Sequence, residues 1–525
     1  MTQVVIPTAG IGSRLGTLTS NINKALIPVG TRPAISYIID GYPLTYKFII
    51  ALGYKGSYIK DYLGIAYPNR KFIYVNVEPY DGKGSGLGHT LKQCKKYITE
   101  DFFFHSNDGI ILDKIDFKSI KSDTIFLSGR NIDALKYRTV KVSKSNVVKL
   151  YDKTTRKIPN TYNYVGIAYI KNFKNFKNYL SKISIELGES DYFINKIKKR
   201  QSVLFHLIQS WYDVGDIDDL KRAQKEISDF DNLPKEDEFI YFNNERVIKF
   251  FIQSDLALKR INRAKILKGF VPKIVATKKN FYAYEYVEGE LFSKKIDLYK
   301  NFDNFLRSCK KDFWVKKKLG AKDKENFKNV CFKFYYDKTL ERISSFYQNH
   351  YINDDKEIIN NRKTDTLSNL ISNIDWDDLS SGIPTRIHGD FHFENILYTK
   401  KDKYQFIDWR QDFGGILEYG DMYYDLAKLY HGIIVDHGAI RNNMFKINLS
   451  DTGKIVDYEL YRKQTSYECE NIFLNFLSKN NISVKKVKLL TALIYLNIAT
   501  LHHQPYSIFL YYLGKNMLSQ VLNEK

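Results

Sequence analysis

Residues 7–15 read Pro-Thr-Ala-Gly-Ile-Gly-Ser-Arg-Leu and directly follow a short apolar run. Such a run predicts a buried strand. The small residues Gly10, Gly12 and Ser13 predict a loop whose backbone N–H groups can approach a triphosphate closely. Arg14 adds a fixed positive charge at the same point. The stretch therefore predicts a strand that leads into a phosphate-binding loop, as at the start of an α/β domain.

Short apolar runs alternate with helix-like stretches from residue 1 to about residue 228. The strand-like runs are 4–6, 47–52, 72–77, 124–127 and 164–170, and the helix-like stretches are 33–40 and 88–97. This alternation predicts an α/β fold of Rossmann-like character with a mostly parallel sheet.

A second signature is His-Gly-Asp-Phe-His-Phe-Glu-Asn at residues 388–395, followed by Ile-Asp-Trp at 407–409. Phosphoryl transfer from ATP requires one carboxylate that orients or deprotonates the acceptor hydroxyl. It also requires an amide and a second carboxylate that hold Mg²⁺ against the phosphates. Asp390, Asn395 and Asp408 supply this set of groups.

The polar, proline-containing stretch 229–237 interrupts the periodicity and predicts a short linker. Strand-like runs and one helical stretch follow it, and long amphipathic segments dominate afterwards. We therefore predict a first domain at 1–228, a small mixed lobe at 238–290 and a larger helical lobe at 291–525.

Composition narrows the class of protein. The 525 residues carry a formal net charge of +22, but no Arg-rich tract, zinc finger or aromatic RNA-binding signature accompanies it, which argues against nucleic-acid binding. The four cysteines show no short paired spacing. No long apolar run or cleavable leader is present, so we expect a cytoplasmic protein without membrane insertion.

The first constellation resembles the sugar-phosphate nucleotidyltransferases. The glycine loop is followed by Asn-Lys-Ala-Leu-Ile-Pro-Val-Gly at residues 23–30. The resemblance implies that Arg14 and Lys24 are catalytic and neutralise the nucleotide phosphates. It also implies that Asp108 and Asp213, at two strand ends, hold Mg²⁺.

Weaker matches extend this resemblance. It implies that Gly88, in the loop 84–90, lies at the nucleotide, and that Asp152, Lys153 and Gly166 bind the acceptor phosphate ester. In this family a proline usually precedes the lysine, whereas in this sequence Asn23 precedes Lys24. The domain is also short, without an added hexapeptide segment.

The second constellation resembles the aminoglycoside phosphotransferase and choline kinase family, over roughly residues 236–525. A bilobal, protein-kinase-like α+β architecture is implied, with Asp390 as the catalytic base and Asn395 and Asp408 as ligands of a second Mg²⁺. The strand residue Lys249 is implied to bind the ATP phosphates. The remaining assignments are Glu285 and Val287 as adenine-binding hinge residues, and Asp421 and Asp425 as structural residues.

Two departures weaken the kinase interpretation and keep a pseudokinase as an alternative. No glycine-rich loop precedes Lys249, and the helical stretch 254–268 offers Asp255 but no glutamate to pair with the lysine.

Together, the resemblances imply two consecutive reactions that consume ATP and then CTP or another nucleoside triphosphate. The first phosphorylates a small alcohol, polyol or sugar, and the second makes a nucleotide-activated donor of the kind that feeds bacterial capsule-like polysaccharides. Choline-like, polyol and sugar acceptors all stay open, as does the oligomeric state. One alternative is that only one half is catalytic and the other is a binding or regulatory module. Another is an electrostatic nucleic-acid binder.

Overall fold

The computed structural model describes residues 2–129, 133–154, 158–227, 237–243, 245–294, 298–399 and 403–524. It contains two compact units, Met1–Ser254 with Val275–Tyr284, and Asp255–Ile274 with Glu285–Lys525. Residues 229–236 of the predicted linker 229–237 lie outside the described residues.

The first unit alternates strands with helices. Its strands are β1 (Gln3–Pro7), β2 (Pro28–Val29), β3 (Arg32–Pro33), β4 (Lys47–Leu52), β5 (Lys71–Asn76), β6 (Phe102–His105), β7 (Gly109–Ile111), β8 (Thr124–Ser128), β9 (Thr139–Ser143), β10 (Asn146–Tyr151), β11 (Thr161–Ile170), β12 (Leu204–Ile208), β13 (Trp211–Asp213), β14 (Glu238–Asn243), β15 (Arg246–Phe251), β16 (Ile274–Thr277) and β17 (Phe281–Glu285). Its helices are α1 (Ala34–Gly41), α2 (Gly56–Ala66), α3 (Leu87–Cys94), α4 (Phe173–Leu180), α5 (Glu189–Lys198) and α6 (Ile217–Ile227), with 3₁₀ turns at Ser13–Thr19, Lys24–Leu26 and Lys95–Tyr97.

A nine-stranded sheet forms the centre of this unit, in the order β5-β4-β1-β6-β11-β8-β12-β10-β9. The first four strands are parallel, as the alternation predicts, and β8 also pairs in parallel with β12. The long strand β11 runs antiparallel to β6, β8 and β9, so the sheet is mixed beyond β6.

Side chains of β1 alternate between the two faces of the sheet, as strand geometry requires. Val4 and Ile6 belong to one hydrophobic core, and Val5 belongs to the other. Because both faces are covered, β1 is apolar throughout and its carboxyl end is the point at which the chain turns into the glycine loop.

A second sheet of the first unit has the order β14-β15-β17-β16. Tyr241, Ile248 and Phe281 share a hydrophobic core with α1 and α2, and the Tyr241 hydroxyl donates a hydrogen bond of 2.8 Å to the Leu26 carbonyl. Strands β14, β15 and β17, which lie within the predicted small lobe, therefore pack as part of the first unit. The division of the chain into a first domain, a small lobe and a large lobe remains a prediction.

The second unit is mainly helical. Its helices are α7 (Ser254–Ile266), α8 (Leu298–Ser308), α9 (Ala321–His350), α10 (Leu367–Ser372), α11 (Trp376–Ser380), α12 (Met422–Ile434), α13 (His437–Arg441), α14 (Gln464–Lys479), α15 (Val484–Ala499) and α16 (Tyr506–Asn523), with 3₁₀ turns at Phe292–Lys294 and Phe393–Asn395 and a π-helical turn at Cys309–Phe313. Its strands are β18 (Gly289–Leu291), β19 (Glu357–Ile359), β20 (Arg362–Thr364), β21 (Pro384–Thr385), β22 (Ile396–Thr399), β23 (Tyr404–Phe406), β24 (Gly420–Asp421), β25 (Phe445–Leu449) and β26 (Ile455–Leu460).

Two buried carboxylates fix the loop that carries the second signature. Asp425 of α12 accepts hydrogen bonds from the backbone N–H groups of His388 and Gly389, at 2.8 and 2.7 Å. Asp421 caps α12 and accepts a 2.7 Å hydrogen bond from the Tyr335 hydroxyl. Both side chains are fully buried, and these contacts agree with the structural role that the sequence indicates.

Among the residues that the structure describes, none of the helices combines the length and the apolar character that a membrane span requires.

Candidate functional site

The glycine loop after β1 has the backbone geometry that a phosphate cradle requires. Gly12 has a φ of +73°, a left-handed conformation that favours glycine, and its carbonyl accepts a 2.9 Å hydrogen bond from the Leu15 N–H. A Cβ placed on Gly10 would meet no atom within 4 Å. Gly10 therefore lines open space, and the neighbouring Ser13 and Arg14 side chains are exposed.

Lys24 and Arg14 both approach Asp108, which follows the end of β6. Lys24 Nζ lies 2.9 Å from Asp108 Oδ2, and an Arg14 guanidinium nitrogen lies 3.9 Å from the same oxygen. Burial alone would raise the pKa of Asp108, but the two cations outweigh burial and lower it to about 2. The structure thus brings together three of the predicted site residues.

Asp213 joins this group because β13 pairs with β7. The pairing places Asp213 opposite Gly109, and the Val214 N–H donates a 2.9 Å hydrogen bond to the Asp108 carbonyl. Burial and the nearby Asp108 carboxylate raise the pKa of Asp213 to about 6. A Cβ on Gly215 would lie 2.9 Å from both Arg14 and Asp213 Oδ1 and 3.1 Å from Asp108 Oδ2, so these groups border one small space.

The donor set fits the predicted Mg²⁺. Mg²⁺ prefers carboxylate oxygens, and it usually takes only one or two from the protein, with water and substrate phosphates completing its octahedron. Two mutually repelling carboxylates beside one space match that requirement. Within the described part of the chain, no group of three or more His, Cys, Asp or Glu side chains suited to a metal converges.

Asn23, the departure from the family pattern, has a clear structural role. Its amide nitrogen donates hydrogen bonds of 3.0 Å to the Thr8 carbonyl and 2.7 Å to the Tyr54 carbonyl. Its side-chain oxygen accepts a 2.9 Å hydrogen bond from the Ala25 N–H. The fully buried side chain therefore ties the turn that carries Lys24 to the end of β1.

Replacing Asn23 by alanine removes all three hydrogen bonds and leaves the buried Thr8 carbonyl and the half-buried Tyr54 carbonyl without these donors. We expect Asn23→Ala to lower the free energy of unfolding by about 2–4 kcal/mol, and to raise the KM of the nucleotide substrate because Lys24 loses its support. Thermal unfolding and nucleotidyl-transfer kinetics measure the two effects. The exposed neighbour Asn21 provides the control, and equal stability of Asn21→Ala and Asn23→Ala would contradict the assigned role.

The predicted acceptor-binding residues lie on β11 and directly after β10. Gly166 has a φ of +75°, and a Cβ there would lie 2.7 Å from Ser106 Oγ, so glycine allows β11 to approach the loop after β6. Asp152 forms a 2.9 Å ion pair with Arg138, and Lys153 is exposed. The roles of these residues in acceptor binding remain a prediction.

Gly88 packs against main chain. A Cβ there would lie 2.3 Å from the Leu187 carbonyl oxygen and 2.7 Å from that of Ser184. This glycine therefore allows α3 to approach residues 184–187, and its role at the nucleotide remains a prediction.

The sequence reasoning missed a polar group beside Asp213. Lys136 forms ion pairs with Asp216 and Asp219, and the Tyr137 hydroxyl donates a 3.4 Å hydrogen bond to Asp219. Burial and the Asp213 carboxylate raise the pKa of Tyr137, so its phenol stays protonated at neutral pH. The only sequence signal was the acidic start of α6, which also occurs in ordinary helices.

The second site centres on Asp390. Asn395 donates hydrogen bonds of 3.1 Å to Asp390 Oδ2 and 2.9 Å to the Asp390 carbonyl, and Lys428 Nζ lies 2.8 Å from Asp390 Oδ1. Burial would raise the pKa of Asp390, but Lys428 and His392 outweigh burial and hold it well below the usual range. Asp390 is therefore an ionised carboxylate at neutral pH, and its role as the base remains a prediction.

Asp408 faces a different cation. Arg260 of α7 approaches Asp408 Oδ1 to 2.5 Å, and the Arg260 carbonyl accepts a 2.9 Å hydrogen bond from the Trp409 indole. Asp408 has a φ of +57°, a strained conformation of a kind that is common at functional sites. Asn395 and Asp408 offer an amide and a carboxylate oxygen, which suit Mg²⁺ bound against ATP phosphates.

Lys249 of β15 has a carboxylate partner that the sequence reasoning did not find. Glu238, on the neighbouring strand β14, approaches Lys249 Nζ to 2.9 Å, and both side chains are buried. Lys249 thus pairs with a glutamate of the neighbouring strand, whereas the kinase resemblance implies a glutamate of the following helix. The assignment of Lys249 to the ATP phosphates remains a prediction, as do those of the exposed Glu285 and the half-buried Val287.

A cavity of about 450 Å³ in the second unit borders His392. Its lining carries both signs of charge, including Lys294, Glu394, Asp436 and Lys463. The mixed lining shows no preference for one class of ligand.

Comparison with known proteins agrees with both predicted family resemblances. A family model described as the phosphotransferase enzyme family matches residues 347–453, which include Asp390, Asn395 and Asp408. A bifunctional protein GlmU from Methanocaldococcus jannaschii is 27% identical over 232 residues, 43% of this chain and 54% of the relative. The two halves of the chain resemble two different transferase families.

Two further relatives match the nucleotidyltransferase-like half. A D-glycero-alpha-D-manno-heptose 1-phosphate guanylyltransferase from Aneurinibacillus thermoaerophilus is 25% identical, over 43% of this chain and 99% of the relative. A glucose-1-phosphate cytidylyltransferase from Salmonella typhimurium is 28% identical, over 21% of this chain and 51% of the relative. The chain thus spans about half the length of some curated relatives that it matches.

Among solved structures, the CTP:phosphocholine cytidylyltransferase of Streptococcus pneumoniae aligns with 43% of this chain and 99% of its own, at 19% identity and a TM-score of 0.37. The family model and the curated relatives confirm the predicted resemblance of the first half of the chain to sugar-phosphate nucleotidyltransferases and of the second half to phosphotransferases.

Proposed function

We propose that this chain is a bifunctional enzyme that makes a phosphate monoester and then activates it with a nucleotide. The kinase-like half transfers the γ-phosphoryl group of ATP to a hydroxyl of a small alcohol, polyol or sugar. The nucleotidyltransferase-like half transfers CMP from CTP to that monoester. The observation that carries the proposal is the pair of sites, each with an ionised aspartate held by a lysine, at Asp108 and Asp390.

In the first reaction, the acceptor oxygen forms a bond to the γ-phosphorus, the bond from this phosphorus to the bridging oxygen breaks, and ADP leaves. Asp390 accepts the hydroxyl proton, since its carboxylate is ionised and held by Lys428 and Asn395. Mg²⁺ would be bound by Asn395 and Asp408 and would neutralise the developing charge on the phosphates.

In the second reaction, a monoester oxygen attacks the α-phosphorus of CTP, the bond to the bridging oxygen breaks, and pyrophosphate leaves. Arg14 and Lys24 offset the charge of the triphosphate, and Asp108 and Asp213 would hold Mg²⁺, which would supply further positive charge at the reacting phosphates. The cytidylyltransferase relative supports CTP, whereas the guanylyltransferase relative makes GTP the alternative. We propose that the product serves as a donor for a cell-surface polysaccharide.

³¹P NMR tests the proposal directly. The full chain is incubated with Mg²⁺, ATP, CTP and a panel of alcohols, polyols and sugars. A new monoester signal that gives way to a pyrophosphate diester is the expected result. Replacing CTP by GTP in a parallel reaction tests the choice of base. A monoester that accumulates with every nucleoside triphosphate contradicts the second activity, and a panel without any monoester contradicts the first.

A further inference from the structure

Basic side chains collect beside the catalytic aspartate of the second unit. Lys428 of α12 pairs with Asp390, and three further cations lie nearby, Lys338 and Arg342 of α9 and Arg410 in the loop after β23. We call Lys338, Arg342 and Arg410 the cationic cluster.

The aromatic ring of Phe334 contacts two of the three members of the cationic cluster. Lys338 Nζ and Arg410 Cζ each lie 4.9 Å from the centroid of the Phe334 ring. The Tyr424 ring packs edge-on against the same phenylalanine, with centroids 5.0 Å apart. Tyr424 precedes Lys428 by one turn of α12, so the cationic cluster adjoins the ion pair that holds Asp390.

The charge of the cationic cluster is not balanced within the described residues, where none of its three members forms an ion pair with a carboxylate. Lys338 and Arg342 are four residues apart on α9, a spacing at which like charges destabilise a helix. The charge of an ionised Tyr424 would raise the pKa of Lys338, but burial and the neighbouring cations outweigh it and lower that pKa. Burial would raise the pKa of Tyr424, and the cations lower it instead.

We propose that the alcohol phosphorylated by this half carries an anionic group, a carboxylate or a phosphate ester, which the cationic cluster binds while the hydroxyl faces Asp390. This inference rests on the proposed kinase reaction and specifies its substrate class. It disfavours a choline-like acceptor, because a quaternary ammonium would be placed against three uncompensated cations. The ATP phosphates are the other source of negative charge. However, Asp408, which we assign to the metal–ATP side, forms its ion pair with Arg260 of α7, which is not a member of the cluster.

Anion binding tests the inference without turnover. Isothermal titration calorimetry measures binding of inorganic phosphate to the full chain saturated with Mg²⁺ and a non-hydrolysable ATP analogue. We expect the double variant Lys338→Gln/Arg342→Gln to weaken phosphate binding at least roughly tenfold, since charge-assisted hydrogen bonds are lost. Lys333→Gln, an exposed lysine on the same helix, is the matched control. Equal binding by all three proteins, or phosphate binding that occurs only when the ATP analogue is left out, would overturn the inference.

Matched acceptors test the same inference by kinetics. Glycerate and glycerol 3-phosphate are compared with glycerol, glucose 6-phosphate with glucose, and choline serves as the cationic acceptor. We expect the anionic members to have the higher kcat/KM, and the double variant to raise their KM while the KM of ATP stays unchanged. A preference for choline or the neutral members, or a rise in the KM of ATP alone, would contradict the inference.

The two experiments separate failure of the inference from failure of the proposed function. Specific phosphate binding together with no turnover of any acceptor would count against the kinase reaction and still support an anion site. Turnover that prefers a neutral or cationic acceptor would support the kinase reaction and refute the anion site. Arg410→Gln provides a second variant if the double variant fails to fold.

Discussion

Asp390→Asn should abolish formation of the phosphate monoester and leave nucleotidyl transfer to an added monoester unchanged. The asparagine keeps the shape of the side chain and its contact with Asn395 but can no longer accept the hydroxyl proton. General-base catalysis contributes roughly 10²–10⁴-fold, so we expect a loss of kinase kcat of that size. The kinase rate is followed by ³¹P NMR with the acceptor identified in the panel.

Asp108→Asn is the reciprocal variant, because it weakens the proposed Mg²⁺ site and the contact with Lys24 in the first unit. We expect loss of nucleotidyl transfer with normal monoester formation. Asp451→Asn and Asp81→Asn alter exposed aspartates of the second and first units and should change neither rate. If Asp390→Asn retained wild-type kinase activity, Asp390 would not be the base. If only one of the two activities could be detected in the wild type, the other half would be the binding or regulatory module of the alternative hypothesis.

The sequence predicts the elements of the first unit closely, because its strands are continuous apolar runs bounded by turns. Strand β4 coincides with the predicted range 47–52, and β1 contains the predicted run 4–6. The positions of Asp108 and Asp213 near strand ends were expected from the resemblance to sugar-phosphate nucleotidyltransferases, and the structure places them three residues after β6 and at the end of β13. The antiparallel pairings of β11 were not predictable, because pairing between distant strands depends on tertiary contacts that periodicity does not encode.

Partners of the site residues were the hardest features to predict. Arg260 and Asp408 are 148 residues apart, and nothing in the local sequence distinguishes Arg260 from other basic residues of its helix. Glu238 was missed for a different reason. The kinase-like resemblance directs attention to the helix after Lys249, whereas the carboxylate lies on the preceding strand. Lys428 and the cationic cluster could not be singled out either, because the chain has 81 Lys and Arg residues. Their proximity to one another follows from the packing of α9, which the sequence does not show.

Gly215→Ala should inactivate nucleotidyl transfer without removing any functional group. The added methyl would lie 2.9 Å from both Arg14 and Asp213 Oδ1 and 3.1 Å from Asp108 Oδ2. All three neighbouring atoms are the ends of side chains, so the fold can adjust by displacing them, and the backbone of Gly215 is not in the left-handed region. Displacing catalytic groups by about 1 Å costs roughly 10²-fold in rate, and we expect a loss of at least that size.

The measurement is nucleotidyl-transfer kinetics over a range of Mg²⁺ concentrations, together with thermal unfolding. Gly64→Ala is the matched control, because a Cβ on this exposed glycine of α2 would meet no atom within 4 Å and should stabilise the helix slightly. A rate loss in Gly215→Ala with an unchanged melting temperature would show that the space between the two aspartates is needed for catalysis. Unchanged kinetics would mean that neither the metal nor the transferred phosphate occupies that space, and the assignment of Asp108 and Asp213 as metal ligands would then be wrong.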